Sequence, residues 1–375
     1  MMSVGSVSAS YGTVTNNPDI QWHFVQLIGG GYEPIEKSYH VVDIGISCSN
    51  DVTLNNCKVG IKNTKQHSWE AVYSQDGKIK LNNCEVKGIV SAPNHLTETE
   101  NCLIEGKVSS YNGAIHLTAT EVRSQDYTDV KLMPQSGFHD WMCPVKDRDD
   151  AVYQFNMNDV GYYKDLLKPV IGGEISSHVA IENIDNSIRC ENACKIYGDV
   201  AILFYEDGFP TRNIEIIGST VAGNLLNRAG NILVEKSSAK AVYNNIGMTE
   251  INDSTVEFIY TRDSNTLIHN HSVVRQGGIL GGQNHEILSS TVHGSLRLLG
   301  QNLKMGKEAV VDEICLPHLD EATGFIPQIT LESGATLHSL LTNDYPCRLG
   351  IEEGATFTPL NHPETLPKNL EIYYF

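Results

Sequence analysis

Apolar residues alternate with polar ones in short runs, and the runs recur. Ser219-Thr220-Val221, Ser237-Ser238-Ala239, Ser254-Thr255-Val256, His271-Ser272-Val273 and Ser290-Thr291-Val292 end 18, 17, 17 and 19 residues apart. A small polar pair followed by an apolar residue, returning about every 18 residues, predicts a coiled β-solenoid. Upstream, Leu54-Asn55-Asn56-Cys57-Lys58-Val59 is echoed by Leu81-Asn82-Asn83-Cys84-Glu85-Val86, by Thr99-Glu100-Asn101-Cys102-Leu103-Ile104 and by Leu117-Thr118-Ala119-Thr120-Glu121-Val122. A third form closes the chain, with Gly334 and Gly354 20 residues apart in Leu331-Glu332-Ser333-Gly334-Ala335-Thr336-Leu337 and Ile351-Glu352-Glu353-Gly354-Ala355-Thr356-Phe357.

Within each copy the side chains alternate as on a strand, so Val52 and Leu54 share one face. The Asn pair marks a corner, because Asn tolerates left-handed backbone angles. Each coil therefore reads strand, Asn corner, strand, looser loop, strand. A single coil cannot bury its apolar face; stacked coils bury one another's, with a rise of about 4.8 Å. The 27 residues between Cys57 and Cys84 are one turn plus a loop, placed over Lys65 to Tyr73.

The expected fold is all-β: a right-handed parallel β-helix of roughly a dozen coils with two partly helical insertions. Residues 1–39 form an N-terminal cap, 40–360 the β-helix and 361–375 a tail. The insertions span 124–170 and 303–327. In the first, Asn158 to Leu167 predicts a helix stopped by Pro169. In the second, Val310, Val311 and Ile314 give helical spacing over Lys307 to Cys315, ended by Pro317.

Period, Asn corners and Val/Ile/Cys ladders resemble the pectin-lyase-like superfamily of parallel β-helices. The resemblance is one of fold and implies no particular reaction. The galacturonan hydrolases of that superfamily carry Asn-Thr-Asp, Asp-Asp, Gly-His-Gly and Arg-Ile-Lys. Here Asp149-Asp150 lies in the insertion, Val292-His293-Gly294 only grazes the His motif, and Arg-Ile-Lys is missing. Trp-Ile-Asp-His, typical of pectate lyases, is missing too.

Forty-five acids against 27 bases give a net charge of −18 and no basic stretch, which argues against nucleic acid as a partner. No run approaches 18 apolar residues, so no membrane span is expected. Met1 to Val14 has neither basic start nor apolar run and does not read as a secretory signal. The nine cysteines are odd in number; three recur at one inward position and read as small apolar residues. They suggest a reducing compartment, cytoplasmic or reached by translocation from a bacterium without a cleaved signal peptide. The apolar end Leu370-Glu371-Ile372-Tyr373-Tyr374-Phe375 resembles bacterial type IV secretion signals, with a strand closing the last coil as the plainer reading.

The densest chemistry lies in the first insertion. Cys143 is the candidate nucleophile, His139 its base and Asp140 the orienting acid. Trp141, Arg148, Asp149 and Asp150 are candidate substrate-binding residues. The plainer alternative is that Phe138, Trp141, Met142 and Pro144 anchor a loop. Asp147, Asp149 and Asp150 lack the ligand pattern of a Ca²⁺ loop, and Cys190 and Cys194 lack zinc spacing. No metal and no cofactor is expected. His269 and His271 read as surface histidines, and Gly277 to Gly282 as tight corners between coils.

The leading expectation is a non-catalytic binding protein with a protein or polysaccharide partner, in one version a translocated bacterial effector. The alternatives are a carbohydrate-active lyase or hydrolase with an unfamiliar site, and a cysteine enzyme using Cys143.

Overall fold

The computed structural model describes residues 7–9, 12–14, 46–48, 51–56, 58–60, 70–124, 179–202, 212–316, 326–361 and 366–375. They form an all-β chain of short strands in parallel register, the arrangement of a parallel β-helix. The described residues divide into two compact units, the first ending at Leu226 and the second beginning at Asn227.

In the first unit the strands before each corner stack as Val52–Asn55, Ile79–Asn82, Thr97–Glu100, Ile115–Thr118, Ile188–Glu191 and Ile214–Ile217. Their inward ladders run through Val52, Ile79, Thr97, Ile115, Ile188 and Ile214, all buried. After the corner the inward ladder is Val86, Ile104, Val122, Ile196 and Val221. The hairpin Val7–Ala9 and Gly12–Val14 runs antiparallel along Val52–Asn55. The second unit repeats the scheme, with Ala239, Val256, Val274, Val292, Val311, Leu337 and Phe357 stacked after the corner. Its last strand, Leu370–Tyr374, pairs in parallel with Cys347–Ile351.

The corners are left-handed. Asn56, Asn83 and Asn101 have φ of 55°, 53° and 52°, as the Asn pairs predict. Ala119, Lys236, Asp253 and Ser289 adopt the same angle without being Asn. The position that follows each corner carries a second device. The Cys84 amide donates to Cys102 Sγ (3.4 Å), the Cys102 amide to Thr120 Oγ1 (3.4 Å), the Thr120 amide to Cys194 Sγ (3.4 Å) and the Cys194 amide to Ser219 Oγ (3.1 Å). In the second unit the amides of Ser237, Ser254 and Ser272 donate to the hydroxyls of Ser254, Ser272 and Ser290 at 3.0, 3.2 and 3.1 Å. Each of these side chains also donates to a carbonyl just before its own corner, as Ser254 does to Asn252 (2.7 Å) and Cys102 to Glu100 (3.2 Å). The cysteines are thus members of a polar ladder and not merely small apolar fillers.

This ladder makes a prediction. Ser254→Ala removes the acceptor for a buried amide and is expected to cost about 1–3 kcal/mol. Cys102→Ser keeps an acceptor in place and is expected to cost about 1 kcal/mol or less. Urea unfolding of the two variants against wild type measures both.

Three expectations are corrected. Lys307 to Cys315 is no helix: Glu308 turns the corner at φ 60°, and Val310–Cys315 is a strand paired with Thr291–Leu298 and Thr336–Leu341. Val311 and Ile314 are both buried while Asp312 and Glu313 between them are partly exposed, which imitates helical spacing. The repeat also continues through Leu303, since Asn302–Met305 stacks on Asn284–Ile287 and beneath Gln328–Leu331. The partly helical second insertion therefore fails over its described part. In the first unit, Tyr73 belongs to the strand Glu70–Ser74 rather than to a loop. Finally, the string equivalent to Ser254-Thr255-Val256 is Ser272-Val273-Val274, one residue later than the sequence suggested. Asn270 and His271 both turn left-handed (φ 55° and 63°), so that corner holds an extra residue.

Candidate functional site

His139, Asp140, Trp141, Cys143, Arg148, Asp149 and Asp150 lie outside the described residues, as does the helix expected over Asn158 to Leu167. Chemistry on the described coils is sorted by the side to which each strand points it.

Several coil thiols and corner hydroxyls are already engaged in hydrogen bonds. Cys84, Cys102, Cys190, Cys194, Cys315 and Cys347 are buried. Burial raises the pKa of Cys190 and Cys194, and that of Cys347 to about 12. A hydrogen bond from its neighbour Cys84 and burial raise that of Cys102. Thiols held protonated in this way are poor nucleophiles.

Outward residues of the first unit form a charged ladder in register: Lys80, Glu98, His116, Arg189 and Glu215. Lys80 faces Glu98 at 3.9 Å, His116 Nε2 meets Glu191 at 3.0 Å, and Arg189 bridges Glu191 (2.8 Å) and Glu215 (2.6 Å). The Arg189 and His116 contacts hold the Glu191 carboxyl below the usual carboxylate range. In the second unit His269 Nε2 meets Glu250 at 2.9 Å and His293 Nδ1 meets Asp312 at 3.3 Å. His271 sits in its corner, so it does not join His269 as a metal pair. Among the described residues no group of three or more His, Cys, Asp or Glu is placed to hold a metal ion.

A different character marks the strands that follow the corner. In the first unit Lys107 lies next to the Gly106 bend of Leu103–Ser110, and its ammonium contacts the Glu182 carboxylate. Their side chains are only 6% and 13% exposed. Burial pulls the Lys107 amine down from the usual lysine range to about 7; the Glu182 carboxylate opposes that shift by favouring the ammonium form. Ser91 and Ser109 stand in register with Glu182 along the same strand face. In the second unit Tyr243, Tyr260, Ile279, Arg297 and Cys315 share one outward ladder, yet all are buried. The Tyr243 and Tyr260 rings lie 6.1 Å apart, and burial pushes the Tyr260 hydroxyl up to about 12.

These residues carried no motif. The available signal was alternation: Tyr243 and Tyr260 fall 17 residues apart at outward positions, where a solvated coil would carry polar side chains. The Lys107–Glu182 pair gave none, because residues 125–178 separate two strands that are neighbours in the stack.

No helix among the described residues is long and apolar enough to cross a membrane. Comparison with protein-family models, with curated proteins and with solved structures finds no match.

Proposed function

We propose that this is a non-catalytic β-helix that binds a protein or polysaccharide partner along its outward ladders. The observation that carries the reading is the ladder Lys80, Glu98, His116, Arg189 and Glu215, one ionisable side chain per coil. Spacing of about 4.8 Å between coils suits an extended partner that meets several steps at once. Thiols kept protonated, corner hydroxyls bonded on both sides and histidines paired with carboxylates support binding over turnover. Kinship with the pectin-lyase-like superfamily and a cytosolic setting, reached in one version by translocation, belong to the same proposal and rest on the repeat and on the buried cysteines.

A second reading, a carbohydrate-active lyase or hydrolase, is favoured by one observation: Lys107 and Glu182 place a base and an acid in contact on one strand face. One experiment separates the two. The full chain is incubated with a panel of acidic and neutral polysaccharides; retention is read by affinity electrophoresis and product by reducing ends and unsaturated uronate absorbance. Retention without product is expected. Product that disappears in Glu182→Gln overturns the non-catalytic reading, and failure to retain any polysaccharide leaves protein as the partner class.

A further inference from the structure

The inward ladder before the corner in the second unit changes character partway along. It runs Ile232, Thr249, Thr266, His285, Leu303, Ile329 and Leu349 in register, so three polar side chains interrupt an aliphatic stack. All three are buried, His285 to 1% exposure. Thr249 is served: its hydroxyl lies 3.1 Å from Asn244 Nδ2, which also reaches Ser264 Oγ at 3.1 Å. Thr266 Oγ1, Asn244 Oδ1 and both ring nitrogens of His285 have no hydrogen-bonding partner among the described residues.

The same corner is built on glycine beside them. Two successive coils carry Gly282 and Gly300 where the preceding coil carries Ser264. The Gly282 corner stacks directly on Ser264, and a Cβ on Gly300 would come within 2.5 Å of His285 Nε2 and 2.8 Å of the Gly282 carbonyl oxygen. The imidazole edge therefore occupies space that only glycine leaves open. Neutral imidazole offers one donor and one acceptor, and a threonine hydroxyl offers both. Buried polar groups in folded proteins are satisfied almost without exception, by protein or by ordered water.

We infer that the second unit binds water inside its coils, at a site formed by Thr266 Oγ1 and a ring nitrogen of His285 beside the Asn244–Ser264 network. Water is the ligand the chemistry selects. The facing groups are one imidazole, hydroxyls and an amide, without the carboxylates or thiolates that a divalent metal draws on. A buried water needs two to four polar partners, and this corner supplies that number from adjacent coils.

Oxygen-17 relaxation dispersion on the full chain counts long-lived internal waters. The double variant Thr266→Val/His285→Leu is expected to lower the dispersion amplitude by at least the share of one water; an unchanged amplitude overturns the assignment. A crystal structure of the wild-type chain gives a second readout that needs no variant. Expected is a density peak within hydrogen-bonding distance of Thr266 Oγ1 and a His285 nitrogen. A His285 ring whose two nitrogens meet only protein atoms overturns it.

Discussion

Gly277→Ala is expected to cost roughly 3–5 kcal/mol and to melt the second unit well below wild type, as read by thermal unfolding followed by circular dichroism. Two effects add at this residue. Its φ of 76° is left-handed, and a Cβ built there would lie 1.9 Å from the Ser295 carbonyl oxygen of the next coil. The clash is with backbone, so relief requires moving a strand. Gly218→Ala is the matched control in the first unit. Gly218 has φ 57°, but nothing lies within 4 Å of its missing Cβ. Ala119 already sits at φ 47° in the equivalent corner, so Gly218→Ala should cost only about 1 kcal/mol. Equal losses for the two variants would show that backbone angle, not the spacing of stacked coils, governs glycine in this fold.

That contrast also explains what the chain disclosed as a sequence. The coil period, the inward alternation and the corners at Asn56, Asn83 and Asn101 are local properties, set by side-chain direction and by the left-handed tolerance of Asn. They could be read because each coil repeats them. The Cys/Thr/Ser ladder was visible as a pattern, but its meaning was not. Each hydroxyl or thiol accepts a hydrogen bond from the preceding coil, and only stacking reveals that Cys102 and Ser254 do the same work. The helix expected over Lys307 to Cys315 failed for a related reason. Two buried residues three apart on a strand and a turn of helix give the same spacing, and the left-handed corner at Glu308 carries no Asn to mark it. Of the candidate site, residues 138 to 150 offer reactive side-chain types without a repeat to place them, and they lie outside the described residues. Lys107 and Glu182 leave no mark in the sequence because their contact depends on which coils are neighbours, not on any spacing within a coil.

Acidification should destabilise the second unit through His285, and the sign follows from its surroundings. Burial lowers the His285 pKa from 6.5 to about 4. Neighbours on its own face of the ladder, Thr266 and Leu303, are uncharged, while the adjacent Glu286 and Lys304 lie on the opposite, outward face. In the unfolded chain the imidazole takes up a proton near its ordinary value. Between about pH 6.5 and pH 4 the unfolded state therefore binds a proton that the folded state refuses. Stability is full above that window, falls as the pH drops through it, and changes no further from this group below it. The size is set by the shift, at 1.36 kcal/mol per pH unit, for a total of about 3 kcal/mol. Surface carboxylates titrate in the lower part of the same window, so the informative quantity is a difference. Urea unfolding at pH 7 and at pH 4.5 should show a loss in wild type that exceeds the loss in His285→Leu by about 2–3 kcal/mol. Leucine suits the position, since Leu303 occupies the next step of the ladder. Equal losses in the two proteins would mean that His285 takes up its proton in the folded state, and that the corner formed with Thr266 is open enough to solvate an imidazolium.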